Sequence, residues 1–222
     1  MVVGLGTGST ASLILKPLAA RIRQGLSIVG IPTSKGTAEQ ARALGIPLST
    51  LSDHGRADRG RADHARVDLT IDGADEVERG TLNLIKGRGG ALLREKIVAS
   101  ASARVVIVAD ESKLVDRLGR SVVPIEVVPF GWQATARRIE SLGGRPDLRL
   151  QPDGEAFVTD GGHYILDCAF GPISSAGSLD RELNGIVGVI EHGLFLGLAD
   201  QVGVGRAEGV DVLVRSRTDQ PA

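Results

Sequence analysis

Carboxylates, a lysine and glycines suited to proton transfer are concentrated between residues 72 and 96 of this chain. Asp72 and Asp75 flank two small residues, Lys86 opens a glycine-rich turn, and Glu95 follows on a predicted helix. Carboxylates accept protons, and a lysine can stabilise an oxyanion. Glycine-rich backbone can approach a ligand closely. A purely structural segment rarely needs this whole set, which indicates acid/base chemistry on an oxygen-rich ligand.

The two aspartates and the lysine each have a plainer interpretation when taken alone. Asp72 and Asp75 could point into one pocket, where two like charges raise the pKa of one carboxyl. They could instead form an Asx-turn with Asp75 as a helix N-cap, and this interpretation is favoured for the motif in isolation. A lone Lys86 is more often a surface residue, and Glu76 is predicted to be solvated.

Helical periodicity predicts that Glu95 is exposed. The predicted apolar stripe of its helix comprises Leu93, Ile97, Val98 and Ala101. Glu95 projects roughly 160° from Ile97 at 100° per residue. Periodicity alone therefore does not select Glu95 as a catalytic residue.

A second glycine-rich turn, GLGTGST at residues 4–10, leads from an apolar run into a predicted helix. Its glycines allow close approach, Ser9 and Thr10 offer hydroxyls, and a helix N-terminus favours an anion. The spacing differs from the dinucleotide fingerprint, whose last glycine falls three residues after the second. A phosphate site is favoured over the alternative, a capped strand-to-helix turn.

Composition excludes several classes of function. The net charge of −1 and the 3% aromatic content argue against nucleic acid as a partner. The single cysteine excludes an intrachain disulfide framework and a clustered thiolate metal site. No apolar run approaches the ~18 residues that a membrane span needs, and no signal peptide is visible. We therefore expect a cytoplasmic protein with no membrane partner.

The first half of the chain alternates short apolar runs with helical stretches, which predicts a parallel sheet covered by helices. Strands are expected at residues 1–5, 26–31, 67–71 and 104–109, and helices at 9–24, 37–44 and 91–103. Pro17 is expected to kink or split the first helix. Ligands bind beyond the carboxyl ends of such strands, so the turns at 4–10, 72–75 and 110–113 are expected to meet at one edge.

A different order, β-α-β-β-α-β, begins near residue 122 and predicts a small ferredoxin-like lobe. Its strands are expected at residues 122–128, 157–159, 164–168 and 187–191, with a hairpin across 160–162. Pro124 predicts an edge position for the first of these strands. The expected fold class is α/β: a Rossmann-like parallel-sheet domain of residues 1–122 and 200–222, with a smaller ferredoxin-like α+β lobe of residues 123–199.

Three other side chains and one loop are predicted to have structural roles and no chemical function. His163 is predicted to lie in a surface turn, His192 to cap a helix or strand, and Cys168 to be a buried thiol. Residues 54–66 contain a polar near-repeat, GRAD followed by a second GRAD. This segment is predicted to be a solvated loop, with a charged lid or partner contact as the alternative.

Four ordered motifs resemble those of the A-type ribose-5-phosphate isomerases. They are GLGTGSTA at residues 4–11, DGADE at 72–76, KGRGGALLREK at 86–96 and DESK at 110–113. The segments PIEV at 124–127 and GLF at 193–195 also resemble the second lobe of that family. The resemblance covers nearly the whole chain.

The resemblance implies an aldose–ketose isomerase that uses no metal or other cofactor and interconverts D-ribose 5-phosphate and D-ribulose 5-phosphate in the non-oxidative pentose phosphate pathway. Glu95 would be the proton acceptor between C2 and C1 of a cis-enediolate, on a polar helix face that lines a cleft. Asp72, Asp75 and Lys86 would serve ring opening and proton movement. The implied substrate-binding residues are Thr7, Gly8, Ser9, Thr10, Asp72, Gly73, Ala74, Asp75, Lys86, Gly87, Arg88, Gly89 and Lys113. Of these, residues 7–10 and Lys113 would share phosphate binding.

The chain departs from the family pattern in two places. Arg88 stands where the family usually has glycine, and could add a phosphate or subunit contact or crowd the turn. The family has a helix with a lysine before the first strand, and here residue 1 already lies in the strand; we expect lower stability and weaker phosphate binding from this difference. Lys35 is a further candidate for substrate contact. The resemblance also implies a homodimer or homotetramer.

Two other classes of function remain as alternatives. A sugar-phosphate sensor of related architecture would need no proton acceptor, so the set of Asp72, Asp75, Lys86 and Glu95 argues against it. A nucleotide-binding domain is disfavoured because the glycine spacing does not match the dinucleotide pattern.

Overall fold

A computed structural model describes residues 1–54 and 67–215. The described chain divides into two compact units. The first comprises Met1–Gly73, Arg94–Glu111 and Leu198–Arg215, and the second comprises Ala74–Leu93 and Ser112–Gly197. The domain boundaries expected from the sequence, at residues 122–123 and 199–200, remain a prediction.

Strands and helices alternate through the described chain. The strands are β1 (Val2–Leu5), β2 (Val29–Pro32), β3 (Leu69–Gly73), β4 (Glu76–Glu78), β5 (Leu84–Ile85), β6 (Val105–Asp110), β7 (Leu114–Val115), β8 (Val123–Val127), β9 (Arg145–Leu148), β10 (Tyr164–Ala169), β11 (Val189–His192), β12 (Leu194–Phe195), β13 (Gln201–Arg206) and β14 (Gly209–Val214). The α-helices are α1 (Ser9–Arg23), α2 (Lys35–Ala43), α3 (Leu92–Ser100), α4 (Trp132–Glu140) and α5 (Ala176–Asn184). Short 3₁₀ turns cover Leu51–His54 and Glu111–Lys113.

A six-stranded sheet in the order β14-β13-β6-β3-β1-β2 forms the first unit. Its strands are parallel except β14, which pairs antiparallel with β13. Val3, Leu5, Leu15 and Ala19 belong to the apolar cluster that packs α1 against this sheet. The parallel sheet confirms the predicted α/β class. Its strands β1, β3 and β6 end at residues 5, 73 and 110, so the predicted glycine and aspartate turns follow their carboxyl ends.

Two smaller sheets lie in the second unit. One is antiparallel in the order β11-β8-β10-β9, and the other has the order β12-β5-β4-β7. The succession β8-α4-β9-β10-α5-β11 is the predicted ferredoxin-like order. Its core contains fully buried side chains from β8, α4, β10 and α5, which include Ile125, Ile139, Leu166 and Leu183.

The hairpin expected across residues 160–162 is wrong. The partners of β10 are β8 and β9, and residues 157–159 form no strand. The Thr159 hydroxyl accepts the N–H groups of Gly161 and His163 and donates to Glu126. The Thr159 N–H donates to the His163 carbonyl at 2.9 Å, so a turn is closed here without a second strand.

The expected edge position of Pro124 is also wrong, as is the expected split of α1 at Pro17. Pro124 lies in β8, which has a partner strand on each side, β10 and β11. The β8–β11 ladder ends at the pair Ile125–His192, so the N–H that proline lacks falls just past the end of that ladder. Helix α1 runs unbroken through Pro17. The carbonyl left without its helical N–H partner is that of Leu13, a residue that is 74% exposed.

Residues 55–66 of the predicted polar loop lie outside the described part of the chain. Among the described residues, no helix combines the length and apolar character needed to cross a membrane.

Candidate active site

The turn at residues 6–8 connects β1 to α1 and runs directly past Asp72. A Cβ on Gly6 would lie 2.1 Å from Asp72 Oδ1, so only glycine allows this approach. Gly8 has φ +105° and precedes the first residue of α1. The Asp72 carboxylate, nearly buried at the end of β3, accepts the Gly73 N–H at 2.7 Å. The first unit therefore brings the predicted phosphate turn and Asp72 together.

A cluster of hydroxyls that the sequence reasoning missed supports Thr7. The Thr7 hydroxyl lies 2.8 Å from that of Thr33 and 3.1 Å from that of Thr37. Thr37 donates to the Gly6 carbonyl, and Ser34 caps α2 by accepting the Thr37 N–H. The signal in the sequence is Ser34, a good N-cap residue before a helical run. Lys35, exposed at the first position of α2, begins this helix.

Glu95 is buried, and the prediction from periodicity that it is exposed is wrong. It is 3% exposed, whereas Ile97, which was predicted to face the core, is 48% exposed. The buried face of α3 instead contains Leu92, Glu95, Val98 and Ala99, at helical spacing. A carboxylate therefore occupies a buried position on α3, which places Glu95 among the candidates for function.

Asp75 and Arg88 are brought together in the second unit. The Asp75 carboxylate accepts the backbone N–H of Arg88 at 3.0 Å, and the Asp75 N–H donates to the Ile85 carbonyl. These contacts connect the DGADE segment to the glycine-rich turn. The turn itself requires glycine, since Gly87 has φ +109° and Gly90 has φ +78°.

Lys86 is only 4% exposed and is not a surface lysine. Its N–H donates to the Gly193 carbonyl at 2.9 Å, and its ammonium lies 5.5 Å from the centre of the Phe195 ring. A Cβ on Gly193 would lie 2.2 Å from the Lys86 carbonyl oxygen, so glycine is needed there. The GLF segment thus supports Lys86, since the face of the Phe195 ring attracts the ammonium group.

Glu76 was predicted to be solvated, and the structure contradicts this. Its carboxylate is fully buried and accepts the backbone N–H groups of Gly119 and Ser121. Residues 119–121 lie in no strand, so the N–H groups of Gly119 and Ser121 have no partner in a sheet. The Glu76 carboxylate satisfies them.

The loop held by Glu76 contributes to a cleft of about 390 Å³ in the second unit. The cleft is lined by Asp75, Arg88, Arg120, Ser121, Val122 and Pro124. Arg120 donates to the Ser112 carbonyl, next to the half-buried Lys113. Sequence reasoning missed Arg120 and Ser121. The signal available in the sequence was a basic residue directly after a glycine, Gly119. In the structure Gly119 has φ +109°, which is typical of a tight turn.

The cysteine and the two histidines noted in the sequence, Cys168, His163 and His192, have contacts typical of structural residues. Cys168 is buried as predicted, and burial raises the pKa of its thiol, with a smaller contribution from Asp167. His163 lies in a turn and its Nδ1 is 2.9 Å from Glu126 Oε1. His192, the buried last residue of β11, accepts the Leu194 N–H through Nδ1. No group of three or more histidine, cysteine or acidic side chains within residues 1–54 and 67–215 could hold a metal ion.

The chain is similar to proteins of one family over nearly its full length. The family model for ribose 5-phosphate isomerase A (phosphoriboisomerase A) matches residues 29–209. The ribose-5-phosphate isomerase A of Gloeobacter violaceus is 57% identical, over 97% of this chain and 90% of the relative. That of Thermomicrobium roseum is 52% identical, over 98% of this chain and 88% of the relative.

Solved structures show the same similarity. Ribose 5-phosphate isomerase A from Methanocaldococcus jannaschii has a TM-score of 0.88 and 41% identity, covering 97% of this chain and 91% of its own. A D-ribose-5-phosphate isomerase in complex with phospho-erythronic acid has a TM-score of 0.88 and 40% identity, with the same coverage.

Proposed function

The chain belongs to the ribose 5-phosphate isomerase A family, and from this membership we propose that Glu95 is its catalytic base. The chain is an isomerase that interconverts D-ribose 5-phosphate and D-ribulose 5-phosphate. The observation that supports the role of Glu95 is its burial on α3, where it is 3% exposed. Burying an ionisable carboxyl is costly, so a buried carboxyl with no packing advantage over an apolar residue is a candidate for function.

In the proposed reaction, the Glu95 carboxylate removes the proton from C2 of the open-chain aldose. The electron pair of the C–H bond forms the C1–C2 double bond, and the aldehyde oxygen becomes an oxyanion. Return of the proton to C1, with movement of a proton from the C2 hydroxyl to the C1 oxygen, gives the ketose. No external oxidant or reductant is needed, since C1 is reduced while C2 is oxidised.

Lys86 and the two aspartates have the supporting roles in this proposal. Lys86 is buried and its ammonium faces the Phe195 ring, so a low-dielectric environment would strengthen its stabilisation of an oxyanion. Asp72 and Asp75 would exchange protons with the sugar oxygens during ring opening. Each is held by a backbone N–H, from Gly73 and Arg88 respectively, which fixes its orientation.

The phosphate is proposed to bind the N-terminus of α1, at residues 7–10, together with Lys113. The positive end of a 15-residue helix and the hydroxyls of Ser9 and Thr10 favour a dianion there. Residues 73, 74 and 87–89 would contact the sugar through their backbone. Arg88, which also lines the cleft with Arg120, would add a positive charge near the sugar.

Replacement Glu95→Gln tests the assignment of the base. We expect kcat for ribose 5-phosphate to fall by about 10² to 10⁴-fold, because general-base catalysis is lost while the shape is kept. A coupled assay measures turnover, and NMR in D₂O measures exchange of deuterium into the sugar. Glu140→Gln, on the exposed side of α4, is the matched control and should keep full activity.

Retained turnover or exchange in Glu95→Gln would reject Glu95 as the base. Binding of ribose 5-phosphate by the unaltered protein without turnover would favour the sensor.

Phospho-erythronic acid, whose carboxylate has the planar two-oxygen shape of an enediolate end, should inhibit competitively. Turnover should survive a chelator, since the proposed steps use only side chains of this chain, and loss with chelator would contradict them.

We also propose that the protein acts as a homodimer or homotetramer in the cytoplasm. Exposed apolar side chains in the second unit, Phe130 and Val187, and the exposed valines of β14 support self-association. Light scattering coupled to size exclusion measures the mass of the assembly, and cell fractionation its location.

A further inference from the structure

Arg149, which the proposed chemistry does not use, contacts the glycine-rich turn beside Lys86. It follows the last residue of β9. Its Nη1 donates to the carbonyl of Gly87 at 3.2 Å and to the carbonyl of Arg88 at 3.0 Å. A single guanidinium nitrogen therefore holds two successive carbonyl groups of the turn.

Asp167 on β10 orients this guanidinium from its other edge. Arg149 Nε donates to Asp167 Oδ2 at 2.8 Å, and Nη2 donates to Oδ1 at 2.5 Å. The Arg149 side chain is 13% exposed, so the pair is largely shielded from water. A two-point pair of this kind fixes the plane of the guanidinium, which an ammonium could not reproduce.

An aromatic ring packs against both partners of this contact. The Arg149 guanidinium carbon lies 5.7 Å from the centre of the Phe157 ring. A Cβ on Gly90 would lie 2.5 Å from the same ring, so the turn and the ring are in close contact. Gly87 and Gly90 both have positive φ, which glycine adopts without strain, so the path of the turn depends on these two glycines.

The glycine-rich turn that Arg149 binds also binds Asp75, a proposed catalytic residue. The Arg88 N–H, next to the carbonyl that Arg149 binds, donates to Asp75 Oδ2 at 3.0 Å. A continuous path of hydrogen bonds thus runs from Asp167 through Arg149 and the turn to the Asp75 carboxylate. Every member of the path lies in the second unit.

We propose that Arg149, oriented by Asp167, is a positioning residue that sets the Asp75 carboxylate through the glycine-rich turn. The proposal rests on the proposed function, since it gives Asp75 a role in proton movement. Arg149 contacts the turn through the carbonyls of Gly87 and Arg88, and the proposal assigns it no contact with the substrate. Its effect is therefore expected in kcat more than in KM.

Replacement Arg149→Lys keeps the positive charge but removes the two-point geometry. We expect kcat to fall by about 10- to 100-fold with KM changed less than about threefold, because a small misplacement of a reacting group has an effect of this size. Asp167→Asn, which keeps the shape of the partner, should lower kcat in the same direction. Arg145→Lys, an exposed arginine on β9, is the matched control and should leave kcat unchanged.

A double-mutant cycle with Asp75→Asn separates positioning from a general structural role. If Arg149 acts through Asp75, adding Arg149→Lys to Asp75→Asn should lower kcat by less than about threefold further, because residues that act as a unit are not additive. A full multiplication of the two losses would overturn the proposal. So would single Arg149→Lys and Asp167→Asn variants that both keep kcat within about twofold of the parent.

The same variants distinguish failure of this proposal from failure of the proposed function. If Asp75→Asn alone keeps full kcat, the role of Asp75 is wrong and the positioning role falls with it. If Asp75→Asn loses kcat and both Arg149→Lys and Asp167→Asn keep it, only the positioning role is wrong. Should Arg149→Lys fail to fold, Asp167→Asn alone decides through its own cycle with Asp75→Asn.

Discussion

Buried ionisable side chains distinguish this chain at the scale of single residues. Glu76, Lys86 and Glu95 are each at most 4% exposed. Removing a charge from water is costly unless hydrogen bonds or an aromatic face compensate. Glu76 has two backbone N–H donors and Lys86 has the Phe195 ring, so each is held in one position. Residues held in this way are suited to function, where small displacements matter.

Glu76→Gln tests how strongly one such residue stabilises its surroundings. The amide NH₂ would face a backbone N–H in place of a carboxylate oxygen, leaving a buried donor without an acceptor. We expect the free energy of unfolding in urea to fall by about 1–3 kcal/mol. The exposed Glu140→Gln should change it by less than about 0.5 kcal/mol. Equal stability of both variants would show that the loop at residues 119–121 does not depend on Glu76.

At the scale of elements, local patterns placed the helices well and their faces less well. Helix α3 was predicted with its stripe on Ile97, yet that side chain is exposed and Glu95 is buried. Hydrophobic periodicity weights the large apolar residue, although the wider packing of the first unit decides which face is covered. Helix α1 tolerates Pro17 because the affected carbonyl belongs to an exposed turn.

Pro17→Ala is expected to stabilise α1. The substitution restores an N–H that can bond the Leu13 carbonyl and removes the clash of the ring with that turn. A proline inside a helix costs about 3 kcal/mol, and its stiffening of the unfolded chain returns up to about 1 kcal/mol. The free energy of unfolding should therefore rise by about 2 kcal/mol. Urea denaturation measures it, with exposed Lys16→Ala as control; no gain would mean that α1 is already relaxed around the proline.

At the scale of the molecule, the motif residues are divided between the two compact units. Asp72 and Glu95 belong to the first, and Asp75, Lys86 and Lys113 to the second. The chain passes from one unit to the other within DGADE, within KGRGGALLREK and within DESK. Neither compact unit therefore carries the whole candidate set.

Cys168 allows opening of the folded molecule to be measured. It is the single cysteine of the chain, fully buried on β10, and burial raises the pKa of its thiol. A raised pKa keeps the thiol neutral as the pH rises through the ordinary range for cysteine, and the thiolate is the reactive form. The neutral thiol favours the folded state, and this contribution to the free energy of unfolding is full at pH values below the pKa of cysteine in the unfolded chain. It declines as the pH rises from that value towards the higher pKa of Cys168 in the folded chain.

We expect a disulfide reagent at pH 8 to label Cys168 of the native protein only as fast as the protein unfolds. In guanidinium, the same reagent should label one thiol per chain immediately. If phospho-erythronic acid inhibits this chain as proposed above, it should also slow native labelling by mass action, because a ligand of the folded state shifts the equilibrium away from the unfolded state. Fast stoichiometric labelling of native protein would contradict the burial of Cys168.

The sequence by itself determined the α/β class, the order of the elements and the family, because periodicity, turn glycines and ordered motifs are local properties of the chain. It identified Asp72, Asp75, Lys86 and Glu95 as candidates, but it could not decide which side chains are buried. The solvation predicted for Glu76 and Glu95 was wrong for this reason, as were the hairpin at residues 157–163 and the edge position of Pro124.

Only the tertiary structure decided the contacts between residues distant in sequence. Arg149 lies 61 positions from Arg88, and Gly119 lies 43 positions from Glu76, yet these pairs share hydrogen bonds. Such bonds depend on strand order and on how loops close, which no local pattern contains. The residues of the DGADE and glycine-rich motifs could be read from the sequence, whereas the side chains that hold those motifs in place could not.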